Sequence, residues 1–161
     1  MDKNEILLLK ARETASEKSP FEYKMGAIIV MGSQILSTGA NRTSGNIPPL
    51  LFSSHRRSSK FGALHAEMDA LINLFGRIWD LSPKADSRTK IYVSGLTKGG
   101  NIANSKPCKN CMKILWSFNI HRIYFSTYNG YKFLKLNKNN IHYLTNNKRC
   151  TSCDQSLENI Y

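Results

Sequence analysis

Between residues 3 and 18 the apolar positions Leu7, Leu8, Ala11 and Ala15 recur at helical spacing among Lys, Arg and Glu. That pattern predicts an amphipathic helix, which has to stop before Pro20. The run Ala27-Ile28-Ile29-Val30-Met31 is β-branched and short. It is followed by Gly32-Ser33 and then Gln34-Ile35-Leu36-Ser37-Thr38. A Gly at the first central position of a two-residue loop suits a type II′ turn, so these two runs are expected to pair as a hairpin. Residues 41–63 carry no clear period and contain Gly45, Pro48-Pro49 and Arg56-Arg57-Ser58-Ser59-Lys60. A loop of that length inside a compact domain is usually functional.

Periodicity returns at Leu64, Met68, Leu71, Ile72 and Phe75, one face of a second helix. After a polar stretch at 80–89, Lys90–Ser94 reads as a strand, 108–119 as a helix with Met112, Leu115 and Phe118 inward, and Arg122–Ser126 as another strand. Strand, helix, strand, helix, strand implies two parallel crossovers of the right-handed kind. The expected fold class is therefore α/β, three layers around a mixed central sheet. Tyr131–Leu136 is a candidate edge strand. Nothing divides the chain into two units, so the boundaries drawn are one domain over 1–145 and a polar tail over 146–161.

At 161 residues, with 41% apolar and 10% aromatic content, the chain is long enough to bury a real core, which excludes disorder as its main state. No apolar run reaches the ~20 residues of a membrane span, and Met1-Asp2-Lys3-Asn4-Glu5 lacks a secretory layout. The expectation is a soluble intracellular protein, in cytoplasm or nucleus, with no membrane partner. Formal charge is +12, and from Ser87 to Cys153 there is no Asp or Glu while twelve Lys and Arg occur. A stretch of one sign concentrates phosphate-bearing ligands. Solubility or an AT-rich genome would also produce it.

Two segments change the picture from fold to chemistry. His65-Ala66-Glu67 opens the second helix, and Pro107-Cys108-Lys109-Asn110-Cys111 opens the third. Cysteines three apart on a helix face the same way. One His and two Cys give three ligands and leave a tetrahedral position open, as in a catalytic zinc site. Both sets sit at helix N-termini, where the dipole favours thiolate. A thioredoxin-like redox pair is the alternative, but such pairs follow the first strand of their fold and need no partner His-x-Glu.

The combination H-x-E…P-C-x-x-C is the signature of zinc deaminases. With Ser105-Lys106-Pro107-Cys108-Lys109-Asn110-Cys111 and the following Ile120-His121-Arg122-Ile123-Tyr124-Phe125-Ser126, residues 5–128 resemble the cytidine deaminase superfamily, most closely its cytidine and deoxycytidylate deaminase-like members. The chain is also similar to AID/APOBEC enzymes and, less so, to tRNA adenosine deaminases, whose second motif usually has Glu before Pro. This resemblance implies a cytidine deaminase-like α/β/α fold and Zn²⁺ held by His65, Cys108 and Cys111. It implies Glu67 as the catalytic proton carrier and hydrolysis of cytosine to uracil in a nucleotide or in single-stranded DNA or RNA. It further implies that Asn41 bonds the sugar or base and that the Ala66 backbone meets the amino group or ring edge; similar deaminases are often dimers or larger, which makes a homo-oligomer a candidate partner.

Other residues carry two readings each. Tyr124 and Tyr128 lie near the expected pocket mouth, where an aromatic stacks on a base, though Tyr124 on an alternating strand equally fits core packing. Arg56, Arg57 and Lys60 are phosphate candidates or a solvated loop. Cys150 and Cys153 are exposed thiols, or half of a second zinc site completed by His55 or His142, since deoxycytidylate deaminases can carry a second zinc. Two further functions compete: adenosine deamination in RNA, disfavoured by Ser105-Lys106, and a catalytically silent zinc module that binds nucleic acid, which would have no need of Glu67.

Overall fold

The computed structural model describes residues 1–43, 63–76 and 85–141. Helix α1 (Lys3–Lys18) starts at a capping box. The Asp2 side chain accepts from the Glu5 N–H at 2.9 Å, and Glu5 Oε2 accepts from the Asp2 N–H at 2.8 Å. The face it buries is Leu7, Leu8, Ala11, Thr14 and Ala15, as the spacing required. Strands β1 (Lys24–Met31) and β2 (Gln34–Ala40) follow as an antiparallel hairpin closed at Met31 and Gln34. Gly32 has φ 64° and Ser33 does not go positive, the combination of a II′ turn rather than I′. A bulge between Ile29 and Val30 leaves Leu36 without a partner in the register.

Two short strands, β3 (Arg42–Thr43) and β4 (Ala63–Leu64), form a separate antiparallel pair that leads into helix α2 (Ala66–Phe75). Then come β5 (Lys90–Leu96), helix α3 (Lys109–Ser117), β6 (Arg122–Thr127) and the edge strand β7 (Gly130–Lys135). The main sheet has the order β2-β1-β5-β6-β7. Both β2 and β5 run antiparallel to β1, so they run parallel to each other with β1 between them, and β5 and β6 are adjacent and parallel. Both crossovers are therefore parallel, and the sheet is mixed.

The two faces bury different sets. Ala27, Ile29, Ile91, Val93, Ile123 and Phe125 meet α2 and α3 on one side, while Ile28, Val30 and Tyr92 meet Leu7, Leu8 and Ala11 of α1 on the other. This is the three-layer α/β/α arrangement expected from the pattern. Phe75 and Phe118 stack at 5.1 Å and join the far ends of α2 and α3. The loop cluster Arg56, Arg57 and Lys60, together with His55, His142, Cys150, Cys153 and the tail 146–161, lies outside the described residues.

Candidate metal centre

His65 is the N-cap residue of α2 and Cys108 the N-cap of α3, so the two crossovers bring two helix starts together on one face of the sheet. His65 Nδ1 lies 3.7 Å from Cys108 Sγ and 3.3 Å from Cys111 Sγ, and the three ligand atoms all fall within 4.8 Å of one another. Ligands bound tetrahedrally to one zinc at about 2.0–2.3 Å sit about 3.3–3.8 Å apart, so the donor set and its spacing fit that ion. Cys108 Sγ also accepts from the Cys111 N–H at 3.4 Å, a helix-start contact that favours the thiolate. His65 is 9% exposed, Cys108 6% and Cys111 0%, a site largely withdrawn from bulk water.

Each ligand is held by neighbours that sequence pattern alone does not reveal. Asp69 lies one turn after His65, and its N–H donates to the His65 carbonyl at 3.0 Å. Its carboxylate reaches back to the end of β2, accepting from Ala40 N–H at 3.0 Å and from Arg42 Nε at 2.6 Å. Arg42 in turn pairs through its backbone with Leu64, the residue before His65. Asp69 and Arg42 thus clasp the start of α2 to the end of β2. The signal that would have found Asp69 was a charged residue at helical spacing from His65 on a face that has to be buried.

On the other helix the approach to Pro107-Cys108 is tied to β6. The Ser105 N–H donates to the Ser126 carbonyl at 2.9 Å, the two hydroxyls lie 2.9 Å apart, and Ser126 Oγ donates to the Ala103 carbonyl at 2.8 Å.

Glu67 is buried in the first turn of α2, two residues after His65. Burial pushes its carboxyl up to about 7, opposed by its own backbone N–H.

Residues 1–127 match the family described as the cytidine and deoxycytidylate deaminase zinc-binding region. The chain belongs to this family. It is accordingly a zinc-dependent hydrolytic deaminase, with His65, Cys108 and Cys111 as the donor set that fits the metal. Two solved structures are similar to it. The dCMP deaminase from the cyanophage S-TIM5 in apo form is 19% identical with a TM-score of 0.48, over 78% of this chain and 84% of that one. The S-TIM5 dCMP deaminase in complex with dCMP and dUMP is 20% identical with a TM-score of 0.48, over 78% and 82%. No curated protein matches this chain. Among the described residues no helix is long and apolar enough to cross a membrane.

The remaining site residues are placed as follows. Ala66 is fully buried at the start of α2. Asn41 is fully buried, with Oδ1 accepting from Ser19 Oγ at 2.6 Å and Met25 N–H at 2.8 Å, and Nδ2 donating to the Tyr23 carbonyl at 2.9 Å. These bonds brace the segment between α1 and β1. Tyr124 is not at the mouth of the zinc site. It points to the α1 side of the sheet, between Tyr92 and Phe133, each at 4.7 Å between ring centroids. The period-two alternation of β6 decides this, because Ile123 and Phe125 take the zinc side. Tyr128 is 72% exposed in the turn between β6 and β7.

Proposed function

We propose that this deaminase converts the cytosine base of a cytidine or deoxycytidine nucleotide to the uracil base, consuming water and releasing ammonia. The reading rests on one observation: a His/Cys/Cys donor set at two helix starts, with a buried carboxylic acid two residues after the His. In it, His65, Cys108 and Cys111 hold zinc, which supplies acidity to water at neutral pH. Glu67 takes a proton from the attacking water, gives one to the ring nitrogen beside the attacked carbon, and then protonates the departing amine. The helix starts supply N–H groups, and the low exposure keeps competing water away from the ring. The family's description names cytidine and deoxycytidylate, both monomers, which supports a free nucleotide over a strand.

The test is to incubate zinc-loaded protein with dCMP, cytidine, and cytosine-containing single-stranded DNA and RNA, and to measure uracil formed. Turnover of dCMP or cytidine is expected. Glu67→Ala is expected to keep zinc and fold while losing at least the 10²–10⁴-fold typical of a missing acid-base group. No uracil from any substrate would leave the silent module. Turnover of the oligonucleotides alone would move the substrate to a strand, and comparable activity in Glu67→Ala would overturn the assigned chemistry.

A further inference from the structure

On the side of the sheet away from the zinc ligands, the register sets three cations in a line. Lys90 of β5 is opposite Arg122 of β6, and Arg122 is opposite Lys135 of β7. Like charges directly opposite across strands destabilise a sheet. Among the described residues none of the three has an ion pair.

The next row along the same strands is aromatic. Tyr92 is opposite Tyr124, and Tyr124 is opposite Phe133. The rings follow one another at 4.7 Å and 4.7 Å, and Lys90 Nζ sits 5.8 Å over the Tyr124 ring. Helix α1 covers this face over β1 and β5, burying Tyr92, but its first turn meets β7 at Tyr131, whose hydroxyl donates to Asp2 Oδ2 at 2.8 Å. Beyond that contact the face is open among the described residues. Phe133 is 49% exposed, Lys135 is exposed, and Arg122 and Tyr124 are half-buried. At the start of α1, Asp2 and Glu5 are occupied by each other's backbone, and Asp2 also by Tyr131.

We infer that the face formed by Lys90, Arg122, Lys135, Tyr124 and Phe133 binds single-stranded nucleic acid, separately from the catalytic centre. The cation row meets successive phosphates. The aromatic row ends in the exposed Phe133 ring, tilted 36° to Tyr124, on which an unpaired base stacks. Cations beside stacking rings on a sheet face are the requirements of sequence-tolerant strand binding. An acidic protein would satisfy the charges and leave the aromatic row unused, and a duplex keeps its bases from the ring. The acid-free stretch that the sequence analysis singled out supplies every residue of this face.

Binding of a short labelled mixed-sequence oligonucleotide to the full-length zinc-loaded protein, followed by fluorescence anisotropy across a salt series, tests the inference. Replacing Arg122 and Lys135 together by Gln should lower the log–log salt slope by about 1.4, two contacts at ~0.7 each. Phe133→Ala should weaken binding about tenfold and leave that slope unchanged, because a stacking contact releases no counterion. Both variants should retain dCMP turnover, which separates this face from the catalytic site. Phe133 and Lys135 are exposed, so Phe133→Ala and Lys135→Gln alone remain informative should the double variant fold poorly. The inference is overturned by absence of binding at low salt, or by binding that these variants leave intact. Equal affinity for the duplex or for polyglutamate would also overturn it, as would a dimer that Phe133→Ala converts to monomer.

Discussion

Asp69 shows how one side chain sets the geometry of a centre it does not enter. Its carboxylate is almost covered, while the Arg42 side chain it faces is 40% exposed. The charge attraction is therefore screened, and the weight falls on the Ala40 N–H that Asp69 satisfies. Asp69→Ala strands that donor, at a cost of about 1–3 kcal/mol. Asp69→Asn keeps an oxygen for it. The expected result is a lower melting temperature and weaker zinc retention against a chelator for the Ala variant, with most of both recovered in the Asn variant. Equal zinc retention in wild type and Asp69→Ala would show that the clasp stabilises the fold without positioning His65. Motif spacing made the donor set His65, Cys108 and Cys111 legible because a tetrahedral metal demands those types at that spacing. Asp69 and Arg42 were not legible, since their partnership joins residues 27 apart through a register that no local pattern encodes.

Among elements, helices α1 and α2 are each seated against a glycine of the sheet. A Cβ on Gly39 of β2 would lie 2.2 Å from Ala70 N and 2.5 Å from Ala66 O, so α2 rests on the strand backbone itself. Gly26 of β1 does the same for α1, with Ala11 O at 2.0 Å and Ala15 N at 2.7 Å. The atoms met are backbone, so neither clash is relieved by a rotamer change, and the helix has to move. Gly39→Ala is expected to displace α2 and with it His65, lowering both stability and zinc content. Gly26→Ala is expected to cost stability, with zinc content per folded molecule preserved. Zinc analysis of the folded fraction of each variant checks the contrast, and equal zinc loss in both would contradict it. The elements themselves were readable from period and turn chemistry, with bounds shifted where tertiary bonds decide. Helix α3 ends at Ser117 rather than 119 because Asn119 turns to φ 64°, while Ile120 N–H returns to Leu115 O and Asn119 N–H to Trp116 O. An Asn in place of the usual Gly hid that stop in the sequence.

At the scale of the whole molecule, the sheet separates two environments, and the alternation along β5 and β6 decides which residue serves which. Tyr124 was ambiguous in the sequence because an exposed aromatic and a packed one look alike until the neighbouring strand is known; β7 settles it by setting Phe133 against it. The same stack makes an alkaline weakness. Tyr92 is almost fully covered, and its hydroxyl donates to Asn4 Oδ1 at 2.9 Å. Burial, then the proximity of Tyr124, Tyr131 and Asp2, pushes its phenol up to about 12 from 10.0. An acid whose folded pKa is raised favours the native state in its neutral form. Its contribution is therefore complete below about pH 10 and is lost as pH rises from there toward 12. Tyr92→Phe has no proton to lose. It forfeits the bond to Asn4, about 1 kcal/mol at neutral pH, and its stability should then fall less steeply than that of the wild type above pH 10. The difference between the two curves isolates the phenol. Denaturant unfolding of both proteins from pH 8 to pH 11.5 measures it, and parallel curves would show that ionised Tyr92 is tolerated where it stands.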